Sequence, residues 1–223
     1  MVKTLRNTAE GGESAFRKDE WIKKRIIQAA FGQFSQYGIK SISMDAVARS
    51  ISISKRTIYD YFCDKEELLS EGIDYYSRKR TERLARVCKD TDSALEALLA
   101  FYAQVMENPC WYSRKFYDDL QKFPQAMYRL EKEKSTFAAE CLRLFGEGVK
   151  EGSFLKEVNY EIVSLIIKDN PAMLRPSDVY ANYSAVEVYD TILFTFLRGC
   201  CTDTGRTRLD VFVAARRPGR TEL

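Results

Sequence analysis

The sequence predicts an all-α protein, and three observations support this fold class. Proline accounts for only 5 of 223 residues, hydrophobic residues make up 45%, and apolar positions recur at helical spacing. In one such segment Ile27, Ala30, Phe31 and Phe34 stand at i, i+3, i+4 and i+7. We expect an N-terminal three-helix unit with a helix-turn-helix, followed by a C-terminal helical domain.

The N-terminal part divides into an extension and a helical unit. Residues 1–17 contain two adjacent glycines and mixed charge, so we expect a disordered N-terminal extension. The first helix is predicted over about residues 18–37, with Gly38 placed to end it. Residues 18–65 would then form one unit, in which this helix braces the segment 44–63.

The segment 44–63 has the pattern of two short helices with a turn between them. Ser43 can cap the first and Ser54 the second, because serine oxygens accept the free amide protons of a first turn. Packed on a third helix, such a helix-turn-helix presents its second helix to the major groove of DNA. The spacing leaves open a second interpretation, in which this is a solvated basic helix of an ordinary bundle.

Charge is distributed unevenly along the chain. Residues 1–65 carry 12 Lys and Arg against 7 Asp and Glu, whereas residues 66–223 carry 23 against 25. A basic N-terminal module on a slightly acidic body is the pattern of a protein that holds nucleic acid at one end.

Several of these residues resemble a known family. Gly38 and the runs Ser43–Ala48, Ser54–Phe62 and Lys65–Leu68 are similar to the TetR family of bacterial transcriptional regulators. The resemblance covers about Glu20 to Tyr76. It is most specific in the pattern T-[IL]-Y-x-[HY]-F-x-x-K, which this chain has as TIYDYFCDK.

The resemblance implies DNA binding by the second helix of the motif and by the start of the fourth. Lys65 matches a family position that meets a phosphate, and a helix N-terminus adds favourable partial charge there. Ser52 departs from the family, which usually has glycine in the turn, but serine can adopt a left-handed conformation at modest cost. The expected DNA-binding residues are Ser43, Ser54, Lys55, Arg56, Thr57, Tyr59, Tyr61 and Lys65.

Residues 66–215 are predicted to form a helical ligand-binding and dimerisation domain, with a basic tail at 216–223. Asp64 and Glu67 form a capping box for a long helix that joins the two domains. Helices are expected over about residues 65–88, 93–107, 113–122, 125–151, 159–168, 178–200 and 203–215, with a proline-containing loop at 169–176. The G-x-x-x-G-x-F ending at Gly148–Phe154 resembles the corresponding helix of many family members.

Aromatic residues are frequent in the helices between residues 75 and 145. Aromatic walls with a few polar tips suit a pocket for an apolar or planar ligand, and they suit a packed core equally well. The resemblance implies an effector pocket in this region. The candidate ligand-binding residues are Tyr102, Gln104, Trp111, Tyr112, Phe116, Tyr117, Cys141 and Phe145.

The last two predicted helices are apolar on more than one face. A monomeric core could absorb both faces, whereas the resemblance implies a homodimer in which the final helix pair packs across a two-fold axis. A two-fold dimer would place two reading helices about one DNA turn apart. The candidate interface residues are Val186, Tyr189, Leu193, Phe194, Leu197, Leu209 and Phe212.

Other functions find no support in the sequence. The chain has no histidine, its six cysteines form no C-x-x-C pair, and no nucleotide-binding or hydrolase motif is present, so we expect no enzyme, metal site or cofactor. No stretch is apolar enough to span a membrane and the N-terminus lacks an apolar signal segment, so we expect a cytoplasmic, nucleoid-associated protein.

The expected function is that of a ligand-responsive DNA-binding transcriptional regulator. In its simplest form it is a repressor that binds a near-palindromic double-stranded operator and is released by a small apolar or aromatic effector. An activator or an effector-independent regulator is an alternative within DNA binding. A helical ligand-binding or scaffold protein without sequence-specific DNA binding is the alternative from another class.

Overall fold

The computed structural model describes residues 4–107, 113–173 and 183–216. The described residues form ten helices, which confirms the predicted all-α class. They are α1 (Thr4–Tyr37), α2 (Met44–Ser50), α3 (Lys55–Tyr61), α4 (Lys65–Asp90), α5 (Ala94–Glu107), α6 (Arg114–Leu120), α7 (Pro124–Lys150), α8 (Tyr160–Met173), α9 (Ala185–Cys200) and α10 (Asp203–Arg216).

The helices pack as two compact units. The first unit comprises Met1–Tyr76 together with Cys110–Leu130, and the second comprises Ser77–Pro109 together with Glu131–Leu223. Helices α4 and α7 each contribute residues to both units. Helix α6 therefore packs with the N-terminal helices, although it stands well over 30 residues after them in the sequence. The functional domain boundaries predicted at residues 17, 65 and 215 stay predictions.

The first unit is organised around an apolar core between α1, the two short helices and α6. Phe31 and Phe34 of α1, Ile58 of α3 and Phe116 of α6 are buried there, and the rings of Phe31 and Phe116 lie 6.4 Å apart. Burial of large side chains like these is the main stabilising contribution available to so small a unit.

Gly38 ends α1 as the sequence predicts. Its backbone has φ +83°, its amide donates to the Phe34 carbonyl at 2.9 Å, and the following Ile39 is fully buried. A left-handed residue with a buried apolar neighbour is the usual end of a helix, and glycine adopts it without a Cβ clash. Helix α1 begins at Thr4, where the sequence predicted an extension without structure. Gly11 and Gly12, near the start of this helix, each cost about 1 kcal/mol relative to alanine, which the other helix formers of the segment can offset.

Two further boundaries differ from the prediction. Helix α8 continues through Pro171 to Met173, so the part of the predicted 169–176 loop that the structure describes is helical. Helix α9 starts at Ala185, where Ser184 and Glu187 form a reciprocal capping box. The residues 174–182 lie outside the described residues.

The second unit has its main core between α5, α7, α9 and α10. Phe145 and Phe154 are buried there with ring centroids 5.1 Å apart, and Phe154 lies over Gly148 at the end of α7. The G-x-x-x-G-x-F pattern therefore has a packing reason, because a side chain at Gly148 would occupy the place of the Phe154 ring. Helix α10 closes on the same segment, where a Cβ on Gly205 would lie 2.1 Å from the Ser153 carbonyl oxygen.

The described residues have neither a membrane-spanning helix nor a cluster of metal ligands. None of their helices is long and apolar enough to cross a membrane. No group of three or more potential metal ligands occurs in the described ranges.

Candidate nucleic-acid interface and effector cavity

Serine caps set the ends of both helices of the helix-turn-helix. The Ser43 Oγ accepts from the Ala46 amide at 3.1 Å, and the Ser54 Oγ accepts from the Thr57 amide at 3.0 Å. The Ser54 hydroxyl also pairs with the Thr57 hydroxyl at 2.8 Å. Caps of this kind contribute about 1 kcal/mol each, so these serines orient the two helices before any DNA is present.

The turn between α2 and α3 is left-handed at Ser52, with φ +58°. The sequence predicted that serine could take the place of the family's glycine in this way. The amides of Ser52 and Ile53 donate to the carbonyls of Arg49 and Ala48, so the turn is bonded to the end of α2. Arg25 of α1 donates from Nη2 to the Ile51 carbonyl at 3.4 Å, which adds support from the bracing helix.

The outward side of α3 carries the groups that DNA binding needs. Lys55, Arg56 and Tyr59 are exposed, while Ile58 faces the core and is fully buried. Cations and phenol hydroxyls are the groups that meet phosphates and base edges in major-groove readers. The amphipathic pattern of the sequence therefore translates into a polar face on the described surface.

The side chains of Lys55 and Tyr61, both predicted to bind DNA, bond to carboxylates of the protein. Lys55 Nζ lies 3.0 Å from Asp45 Oδ2, and this hydrogen bond raises the pKa of the Lys55 ammonium. The Tyr61 hydroxyl donates to Asp19 Oδ1 at 2.8 Å; partial burial, followed by that bond, raises the pKa of the Tyr61 phenol. Tyr61 thereby ties the end of α3 to α1, a positioning contact that the sequence did not indicate.

Lys65 also donates a hydrogen bond within the first unit. Its Nζ donates to the Ile39 carbonyl at 3.0 Å, and burial lowers the pKa of the Lys65 ammonium. At the same helix start, the Asp64 Oδ1 accepts from the Glu67 amide at 2.8 Å and the Glu67 carboxylate accepts from the Cys63 amide at 2.6 Å. Half of the predicted capping box is therefore present: Asp64 caps α4, whereas the Glu67 carboxylate accepts from the Cys63 amide in place of the Asp64 amide.

The second unit contains a cavity of about 270 Å³ with a largely apolar wall. Its size lies at the lower end of the range of about 300–1,000 Å³ that is typical of small-molecule sites. The lining residues come from α4, α5, α7 and α9. They are Arg80, Leu98, Phe101, Tyr102, Val105, Met106, Phe137, Cys141, Phe145, Tyr189, Leu193, Phe196 and Leu197.

Arg80 brings a cation to this apolar wall. Its guanidinium stacks on the Phe137 ring at 4.5 Å from the centroid and donates from Nη2 to the Glu133 carbonyl at 3.1 Å. The Glu133 carboxylate accepts a hydrogen bond from the Ser77 hydroxyl. Among the described residues that line the cavity, Arg80 carries the charge and none has a carboxylate side chain.

Two other lining groups are kept neutral by burial. Burial and a hydrogen bond to Asp190 raise the pKa of the Tyr102 phenol, and Arg216 lies over its ring at 5.4 Å. Burial raises the pKa of the Cys141 thiol to about 12. The thiolate is the reactive form of cysteine, so Cys141 presents an unreactive, weakly polar thiol to the cavity.

The structure brings together only some of the predicted pocket residues. Tyr102, Cys141 and Phe145 line the cavity, whereas Gln104 is exposed. Phe116 and Tyr117 pack in the core of the first unit and do not line it. Trp111 and Tyr112 lie outside the described residues. Sequence reasoning missed Arg80, because one cation on a long helix gives no local sign that it meets a cavity.

The predicted interface residues have mixed positions. Phe194, Leu197 and Leu209 are buried in the core of their own unit, with at most 3% of each exposed, so they offer no surface to a second copy. Tyr189 and Leu193 line the cavity, as does Leu197. Val186 and Phe212 are half-buried. The apolar faces of α9 thus contact a core and a cavity of the same chain, and the predicted dimer interface stays a prediction.

Comparison with known proteins shows which family the N-terminal part of this chain resembles. A family model described as bacterial regulatory proteins of the tetR family matches residues 26–71. The uncharacterized HTH-type transcriptional regulator YhgD of Bacillus subtilis is 37% identical over 83 residues, which cover 37% of this chain and 40% of that protein. A second finding comes from solved structures. A TetR-family regulator from Agrobacterium tumefaciens matches with a TM-score of 0.68 at 15% identity, over 81% of this chain and 97% of that one.

A further solved structure is CprB of Streptomyces coelicolor in complex with its operator sequence. It matches with a TM-score of 0.62 at 18% identity, over 88% of this chain and 96% of that one. These structures share the fold, an N-terminal helix-turn-helix followed by a helical domain. Residues 26–71 thus resemble the tetR family of bacterial regulatory proteins, and the described residues share the fold of solved TetR-family regulators. The segment of this chain that aligns with YhgD spans less than half the length of that protein.

Proposed function

We propose that this protein is an effector-responsive repressor that binds a near-palindromic operator as a homodimer in the cytoplasm. The observation that carries the proposal is the polar face of α3, where Lys55, Arg56 and Tyr59 are exposed over a buried apolar face. We propose residues 18–65 as the DNA-binding domain and 66–215 as the effector and dimerisation domain. Loss of DNA binding in favour of a scaffold role is the competing function.

Selection of bound duplexes from a random pool tests the DNA-binding part. Enrichment of a near-palindrome at moderate salt supports a dimeric, sequence-specific regulator. Tight binding without enrichment indicates an architectural role instead. Absence of binding at low salt, after removal of any co-purified small molecule, leaves the scaffold function as the better interpretation.

Side-chain roles on α3 are separated by two substitutions and a control. Arg56→Ala is expected to lose about 1–3 kcal/mol on the enriched duplex and to relax base preference, because guanidinium groups read base edges. Lys55→Ala should weaken binding to all duplexes alike and lower the salt slope by about one. Arg86→Ala removes the same charge from an exposed position on α4 in the second unit and should change neither quantity.

For the dimer, the exposed apolar stripe of α8 is the better candidate surface. Ile162, Leu165 and Ile166 stand at i, i+3 and i+4 with 55%, 55% and 39% of their surfaces exposed, while Val163 is buried on the other side. Burying such a stripe against a second copy would remove apolar surface from water at about 25 cal/mol per Å². Light scattering should report a dimer for the natural chain and a monomer for Leu165→Glu. A matched Glu161→Gln change on the polar side should leave the dimer intact.

The effector is proposed to be a small apolar molecule with a neutral or anionic acceptor group. The cavity wall has aromatic and aliphatic side chains and the Arg80 guanidinium, so a cation buried there would be repelled. At about 30 Å³ for a water-sized group, the cavity holds on the order of ten such groups. A series of straight-chain carboxylates, alcohols and ammonium ions of equal length tests this class.

Displacement of an environment-sensitive dye from the cavity reports binding of each member of that series. We expect carboxylates and alcohols to displace the dye and ammonium ions to fail. Arg80→Met should abolish the preference for the carboxylate over the alcohol, whereas Arg83→Met, one turn away and outside the cavity lining, should keep it. Displacement by the ammonium ions as strong as by the carboxylates would contradict the proposed class.

A further inference from the structure

The turn that joins α1 to α2 is held from two sides by charged side chains. Lys65, at the start of α4, donates from Nζ to the Ile39 carbonyl at 3.0 Å. Asp119, in the last turn of α6, accepts at Oδ2 from the Lys40 amide at 2.8 Å. Consecutive backbone groups of one short turn are thus bonded to two different helices of the first unit.

Asp119 is built into this place. The residue is only 7% exposed, and its Oδ1 lies 4.0 Å from the Lys40 Nζ. Adjacent acidic residues on a helix predict a solvated surface pair, and Asp118 is indeed exposed, but Asp119 is buried. A Cβ on Gly38 would come within 2.9 Å of Asp119 Oδ2, so the turn approaches the carboxylate as closely as a glycine permits.

Helix α6 is itself fixed to α1. Phe116 and Leu120 are buried in the core of the first unit, and the Ser113 amide donates to the Ser35 carbonyl at 2.8 Å. Ser113, at the start of α6, is therefore bonded to the last turn of α1. Asp119, in the last turn of α6, is bonded to the turn that follows α1. Any displacement of α6 along its axis must stretch one of these bonds.

We infer that Asp119 is a positioning residue for the DNA reader: it ties the placement of α6 to the entry of α2 through the Lys40 amide. The inference rests on the proposed DNA-binding function. Only residues 41 and 42 separate this bonded amide from Ser43, the cap of α2.

The test compares three variants on the duplex that the natural protein enriches. Asp119→Ala removes the acceptor, and Asp119→Asn keeps an acceptor oxygen but removes the charge. Leu120→Ala destabilises the same helix from the neighbouring buried position and keeps the carboxylate, with Leu120→Val as its substitute if it fails to fold. Affinities are measured well below the melting temperature of every variant, and they are scaled to the folded fraction.

We expect Asp119→Ala to bind the duplex at least tenfold more weakly, while Asp119→Asn and Leu120→Ala stay within about threefold of the natural protein. In the absence of DNA, hydrogen exchange of the α2 amides should accelerate in Asp119→Ala more than in Leu120→Ala. Equal affinity of Asp119→Ala and the natural protein overturns the inference while leaving the proposed function intact. A loss in Leu120→Ala as large as in Asp119→Ala also overturns it, because the effect would then follow stability alone. Failure of the natural protein to enrich any duplex refutes the proposed function and the inference with it.

Discussion

Replacing Gly148 with alanine tests the packing at the end of α7. A Cβ at this position would lie 2.3 Å from Phe154 Cδ2, well inside van der Waals contact. The Phe154 ring has little room to withdraw, because it is 2% exposed and packs between Phe145 and Tyr160 at centroid distances of 5.1 Å and 6.2 Å. The same helix offers a control at Gly146, where an added Cβ meets nothing within 4 Å.

The expected magnitudes follow from two opposing effects. Alanine is favoured over glycine in a helix by about 1 kcal/mol, and this gain applies to both positions. Overpacking of a filled core costs about 1–3 kcal/mol, and this cost applies only to Gly148. Gly146→Ala should therefore be more stable than the natural chain by about 1 kcal/mol. Gly148→Ala should range from unchanged to about 2 kcal/mol less stable.

Urea unfolding followed by far-ultraviolet circular dichroism measures both free energies. The difference between the two variants isolates the contact, since the helix-propensity gain cancels. A smaller side chain at position 154 should relieve the clash with the added Cβ. Phe154→Leu is therefore expected to lower the free energy of unfolding less in the Gly148→Ala background than in the natural chain. Equal stability of the two alanine variants would refute the packing account of this motif.

Three further predictions concern strain, pH and thiol chemistry. Ser52→Gly should raise the melting temperature and stabilise by about 0.5–1 kcal/mol, because a left-handed serine costs about 1–2 kcal/mol and glycine's extra chain entropy offsets part of the gain; a lower melting temperature would contradict it. Alkaline pH should destabilise the fold: burial raises the pKa of Cys141 to about 12 and of Cys201 to about 11, both from 9.0. The stabilising contribution of the two protonated thiols is complete below pH 9 and is lost as the pH rises through their folded-state pKa values. The free energy of unfolding of Cys141→Ala should therefore depend less on pH above pH 9 than that of the natural chain. A thiol reagent at neutral pH should modify the exposed Cys63 in the folded protein and reach Cys141 and Cys201 only after unfolding, as mass spectrometry can record.

Local sequence patterns determined the helix boundaries of the helix-turn-helix and the helices that flank it. Ser43 and Ser54 cap their helices, Gly38 ends α1 in a left-handed conformation, and Asp64 opens α4, all as the sequence predicts. Each of these contacts links residues at most four positions apart. Both partners of each bond therefore lie within one short stretch of sequence, and the backbone geometry of a helix end brings them together.

The placement of α6 and the composition of the cavity were decided by tertiary structure. Phe116 has the same aromatic character as Phe145, yet one joins the core of the first unit and the other lines the cavity of the second. Asp119 has the same side chain as its exposed neighbour Asp118, yet it is buried and accepts a hydrogen bond from the Lys40 amide, 79 positions away in sequence. Burial and charge pairing depend on which helix faces meet, and that is settled by the packing of the whole chain. For this reason the sequence predicted the caps and the helix-turn-helix, while the cation at the cavity and the bond between α6 and the Lys40 amide required the structure.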